Sequence, residues 1–100
     1  MIDDDTVRAI DAALRVFGDE VAKIAAANGD TEVAALASGR RALWEMFADG
    51  YLVLDDECWF RPADNRAERR MLRRKYAPLV ARYYEMVRRG AFEPLKDAAA

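Results

Sequence analysis

Six basic residues stand in the eleven positions from Asn65 to Lys75, in the stretch NRAERRMLRRK. A guanidinium is a planar fork that donates paired hydrogen bonds to phosphate or carboxylate oxygens, so this run is a candidate surface for a polyanion. At about 100° per residue, Arg66, Arg69, Arg70, Arg73 and Arg74 share an arc of roughly 140° on a helix. Leu72, Tyr76, Leu79 and Tyr83 centre about 110° away, which separates a core side from a basic side. With the helix continuing past Pro78, Tyr84 and Arg88 extend the basic side, and a tyrosine beside arginines can stack on a base. The candidate binding residues are therefore Arg66, Arg69, Arg70, Arg73, Arg74, Tyr84 and Arg88. Glu68 is the only acid in residues 66–84, whereas ordinary surface helices mix the two signs.

Other chemistry is thinly represented. The chain has no histidine, which removes the usual near-neutral acid–base group and the commonest transition-metal ligand. Cys58 is the single cysteine and follows Asp55, Asp56 and Glu57, acids that raise a thiol pKa; it reads as a strand or core residue. Three consecutive carboxylates in a turn do not converge as a calcium loop does, and they read as solvated turn residues. No phosphate-cradling glycine motif is present. The expectation is a binding protein, not an enzyme, with no cofactor and no metal.

The charge is unevenly placed. Residues 1–57 carry 5 basic and 13 acidic side chains, a balance of −8, and residues 58–100 carry 11 and 5, a balance of +6. Two arrangements are compatible with that split. Either the C-terminal half faces a partner, or Asp3–Asp5, Asp11, Asp19 and Glu20 face the arginines within the chain or across a dimer. Of the 53% hydrophobic residues, 20 are alanine, so close-packed helices around one modest core are expected. A lone cysteine excludes an internal disulfide, the longest apolar runs are too short for a membrane span, and MIDDDT is no signal peptide. A soluble cytoplasmic protein with no membrane contact is expected.

The elements that position the arginines follow from periodicity and caps. Asp3 to Thr6 suit a helix start, and Val7, Ile10, Leu14, Phe17, Val21 and Ile24 form a stripe ending at Asn28-Gly29. Gly18-Asp19 marks a kink or a boundary within it. Asp30 caps a second stripe of Val33, Leu36, Leu43 and Phe47, interrupted at Ser38-Gly39, with Ser38 recapping a helix that stops at Gly50. Tyr51–Leu54 and Cys58–Arg61 read as two short strands, with Trp59 and Phe60, like Trp44 before them, as packing residues. Asn65 with Glu68 opens the last helix, which Pro78 kinks or divides and Gly90 ends. The fold class is mainly α with a small β-hairpin, one compact domain over 1–100. Its parts are a helical region over 6–49, a hairpin over 51–61, a C-terminal helical segment over 65–89 and a tail over 91–100. Tyr76, Leu79, Tyr83 and Val87 on the last helix offer a possible homodimer face.

Helices followed by FADGYLVLDDECWFRP and a further helix resemble the winged helix-turn-helix superfamily over residues 6–61. The resemblance implies a three-helix core, an aromatic-rich wing and a DNA-binding regulator, with 19–28 as its second helix and 31–49 as its recognition helix. In that arrangement Thr31, Glu32, Val33, Ala34 and Ala35 open the recognition helix, and carboxylates form the wing tip. Base edges call for Arg, Lys, Asn or Gln, and phosphates repel acids. The arginines of the last helix thus become the expected contact, with nucleic acid as partner. The alternative is a protein-binding adaptor or inhibitor of phage type that docks an acidic protein surface through the same side chains.

Overall fold

The computed structural model of the chain describes residues 3–55 and 59–92. The fold is mainly helical with one two-stranded antiparallel hairpin: α1 (Asp4–Ala27), α2 (Thr31–Ala37), α3 (Arg40–Ala48), β1 (Leu52–Leu54), β2 (Phe60–Pro62) and α4 (Arg66–Arg88). Local chemistry sets the ends. Asp3 accepts from the Thr6 N–H at 2.8 Å, Asp30 from the Val33 N–H at 3.1 Å and Asn65 from the Glu68 N–H at 2.8 Å. Glu68 in turn accepts from the Asp64 N–H at 2.8 Å, one residue earlier than in a standard capping box. At the other ends Asn28-Gly29, Asp49-Gly50 and Arg89-Gly90 close the helices with paired 5→2 and 6→1 bonds, such as Gly50 N–H to Phe47 O and Tyr51 N–H to Met46 O.

Four expectations are corrected. First, Gly18 neither breaks nor divides α1, so 19–28 is the second half of one helix and not a helix of its own. Glycine is required there because a Cβ would meet the Ala37 carbonyl and the Leu43 side chain. Second, 31–49 is two helices, and Ser38 does not recap the second. Its hydroxyl donates back to the Ala34 carbonyl at 2.8 Å, while Gly39 precedes α3 without a side-chain cap. Third, Ile24 is 62% exposed, and Val33 and Leu36 also face outward; Ala25 and Ala37 are the buried hydrophobic residues in this region. The close approach of α2 to Gly18 favours small side chains at that contact. Fourth, Tyr76 and Tyr83 are 3% and 1% exposed, with Leu79 and Val87 packed beside them. Tyr76 and Tyr83 are thus spent inside one chain and are not on offer to a homodimer face.

Pro78 lies within α4, which runs unbroken from Arg66 to Arg88. The proline is exposed, so the Arg74 carbonyl that loses its helical donor does so on the solvent side. The core centres on Trp44 and Phe47 of α3. The Trp44 ring stacks on Tyr83 at 4.1 Å, and Phe47 stacks on Tyr76 at 4.2 Å, tying α3 to α4. Phe60 reaches Phe47 at 5.9 Å and Phe17 at 5.6 Å, which seats the hairpin on α1 and α3. Trp59 meets Phe17 edge-on at 6.2 Å and stays 44% exposed. The register Leu52↔Pro62, Val53↔Arg61 and Leu54↔Phe60 places Pro62 last in its strand. Cys58, read as a strand residue, lies outside the described residues, as do Asp56, Glu57 and positions 93–100. Among the described residues, no helix is long and apolar enough to cross a membrane.

Candidate nucleic-acid interface

The exposed side of α4 carries the arginines because the other side is committed to packing. Leu72, Tyr76, Tyr83 and Met86 are buried, and Arg66, Arg70, Arg73, Arg74 and Arg88 are exposed, as their angular separation requires. From Arg66 to Arg88 the helix rises about 33 Å at 1.5 Å per residue. Ala77 and Ala81, both exposed, lie between the arginine cluster and Tyr84-Arg88, so the middle of this surface has low relief. Tyr84 is 39% exposed and tilts against Tyr83 with ring centroids 5.4 Å apart.

Arg69 stands apart from the other four. It sits on the wheel between the basic side and the core stripe, and its guanidinium lies over the Tyr51 ring at 3.8 Å. Its Nε is buried with no hydrogen-bond acceptor among the described residues. Gly50, at φ 77°, lets the start of β1 approach closely; a Cβ at that position would strike the Arg69 carbonyl. Five arginines therefore divide into four that project into solvent and one held on a tyrosine face.

Six other arginines behave differently. Arg40 Nε lies 3.2 Å from Asp11 Oδ1, an ion pair whose angle does not make a hydrogen bond, and the Trp44 indole N–H donates to the same oxygen at 2.9 Å. Arg40 also lies over the Phe92 ring at 5.3 Å. Arg82 donates from Nε to Asp4 Oδ1 at 2.8 Å, and Arg89 reaches the other oxygen at 3.4 Å. Arg61 meets Glu68 through both terminal nitrogens at 3.2 and 3.3 Å. Arg41 pairs with Glu45 at 3.1 Å, and Arg8 lies 3.7 Å from Asp5. The Arg82 bond holds the Asp4 carboxyl below the usual carboxylate range, and the Arg61 bond does the same for Glu68. Asp3 is lowered by the Thr6 N–H that it caps.

All but Asp19 of the acids offered by the sequence as internal counterions are thus engaged elsewhere. Asp4 meets Arg82 and Arg89, Asp11 meets Arg40, and Glu20 lies 3.7 Å from Lys23. None of them faces Arg66, Arg70, Arg73 or Arg74, which have no acid within ion-pair distance among the described residues. Sequence reasoning missed the Asp4–Arg82 and Asp11–Arg40–Trp44 links. The first joins residues 78 positions apart, and no local pattern announces such a pair.

The outer side of α3 presents Arg41 and Glu45 bonded to each other, so it offers few free donors to a base edge. No family model, curated protein or solved structure matches the chain.

Proposed function

We propose that this chain binds nucleic acid through the exposed side of α4 and acts as a small non-enzymatic regulator. Arg66, Arg70, Arg73 and Arg74 neutralise backbone phosphates, Arg88 extends the contact, and Tyr84 offers a ring to a base. Arg69 serves as an oriented donor at the edge, fixed by Tyr51. One observation carries this reading: four neighbouring arginines on one helix side lack an acid, while six other arginines each have one. Arg69 and Arg88 on α4 and Arg15 on α1 also have no ion pair among the described residues, and of these three only Arg15 lies away from α4. In this reading α4 rather than α3 is the contact element.

Fluorescence anisotropy of a labelled 20-base-pair duplex and of a 20-nucleotide single strand tests the reading. Binding is expected at low salt, with a log–log salt slope of about −3 to −4 for four phosphates on a duplex. Arg70→Glu with Arg73→Glu should flatten the slope by about two and weaken binding about a hundredfold. Absence of binding to either probe at low salt overturns it.

A second reading, a protein-binding adaptor or inhibitor, is favoured by one feature. Tyr51 and Met46, joined by an N–H···O bond of 3.2 Å, are both exposed, and Tyr51 carries Arg69 on its face. Tyr, Met and Arg side by side are the composition of a protein contact. Under this reading a pull-down from host extract keeps its partner after nuclease treatment and loses it on Arg69→Glu.

A further inference from the structure

Across the core stripe from the arginines, the two long helices do not close completely on the hairpin. Ala9, Ile10 and Ala13 of α1, Leu54 of β1 and Leu79 of α4 line a cleft of about 410 Å³. Ala9 and Ala13 present only methyl groups along this wall, which leaves the space open. The volume lies within the range of small-molecule sites and corresponds to about a dozen non-hydrogen atoms at roughly 30 Å³ each.

Two polar groups on α4 give the cleft a direction. Lys75 lines it and has no acid within ion-pair distance among the described residues; its ammonium lies 5.9 Å from the centre of the Tyr76 ring. Tyr76 is buried and also lines the cleft. Its hydroxyl accepts from the Leu54 N–H at 3.0 Å and retains its own proton to donate. Asp55 is the one acid on the wall among the described residues, and its carboxylate accepts from the Trp59 N–H at 2.9 Å, which engages it in the hairpin turn. An apolar floor beside one ammonium and one phenol donor suits a single negative charge on a hydrocarbon body. A multiply charged phosphate would find one cation where it needs several.

We propose that this cleft binds a small amphipathic carboxylate, its hydrocarbon part against Ala9, Ala13, Leu54 and Leu79 and its carboxylate on Lys75 and Tyr76. The site uses none of the arginines on the opposite side of α4, so it stands independently of nucleic-acid binding. Octanoate, with ten non-hydrogen atoms, fits the volume, and octan-1-ol and octylamine are its neutral and cationic counterparts.

The test is a titration of the uniformly ¹⁵N-labelled chain with each of the three, without nucleic acid, following amide shifts. Octanoate should give saturable shifts centred on Ala9, Ala13, Leu54 and Lys75. The alcohol and the amine should bind about tenfold more weakly or worse. Lys75→Gln should weaken octanoate about tenfold, the loss of one charge-assisted bond. Ala9→Leu, at an exposed helical position that tolerates leucine, should fill the cleft and remove binding while the spectrum stays dispersed. Three results overturn the proposal: no saturable shift with octanoate, octylamine or octan-1-ol binding as tightly as octanoate, or Lys75→Gln leaving octanoate affinity unchanged.

Discussion

Two sets of arginines share α4 and its surroundings, and they differ in what surrounds each guanidinium. Arg40, Arg61, Arg82 and Arg89 each meet a carboxylate contributed by another part of the chain or, for Arg61, by the start of α4. Among the described residues Arg66, Arg70, Arg73 and Arg74 meet none, although the chain as a whole has 18 acids for 16 basic residues. Acid is therefore not scarce; it is distributed so that the first set locks elements together and the second stays available. Position on the helix sharpens the contrast. Arg66 and Arg70 lie in the first turns of α4, where the dipole is positive and cations are disfavoured. A stretch selected only for solubility or stability would place acids there, as Asp4 and Asp5 are placed in α1.

The comparison breaks most visibly at Asp11. Asp11→Ala leaves Arg40 and the Trp44 indole N–H without their shared oxygen in a buried setting. It should destabilise the fold by about 3 kcal/mol or more. Arg70→Ala, on the exposed side, should change stability by less than about 0.5 kcal/mol. Urea unfolding of the two variants measures both, and equal losses would erase the distinction between the sets.

A smaller effect is expected from pH. Asp4 and Glu68 have folded pKa values depressed by Arg82 and Arg61 respectively. Their contribution is complete above the unfolded carboxylate values of about 4 and is lost as pH falls through the lower folded values. Stability should therefore decline on acidification below about pH 5, and Asp4→Asn should shallow that decline. Identical acid limbs for the two proteins would mean that the Asp4–Arg82 link does not contribute.

The smallest shift has the opposite sign. Arg66→Glu should raise stability by about 0.3–1 kcal/mol by matching the helix dipole, while weakening nucleic-acid binding. Thermal melts and anisotropy on the same sample would show the two moving in opposite directions. A destabilised Arg66→Glu would place Arg66 with the structural set.

Element ends were legible in the sequence because they rest on short-range chemistry. Asp3, Asp30 and Asn65 cap from their own positions, and Gly29, Gly50 and Gly90 supply the left-handed turn that closes α1, α3 and α4. Which apolar residues turn inward was less legible. Ile24, Val33 and Leu36 have the right spacing but face solvent, because the packing of α1 on α2 selects Gly18, Ala25 and Ala37. Spacing alone does not report how closely two helices approach. The arginine side was readable from angles, whereas the exception of Arg69 depends on where Tyr51 lands after Gly50 turns the chain. The pairs of Asp4 with Arg82 and of Asp11 with Arg40, which take acids away from the arginine side, are long-range and had no local signature.

The two tryptophans, set in such different surroundings, make the molecule its own optical gauge. Trp44 is enclosed, stacked on Tyr83 and bonded to Asp11, whereas Trp59 sits half open at the edge of the hairpin. Indole emission moves to longer wavelength as water reaches the ring, so Trp44 should emit to the blue of Trp59. A neutral collisional quencher such as acrylamide should dim Trp59 first. Single Trp→Phe variants would then separate loosening of the hairpin from loss of the α3–α4 junction without any added label.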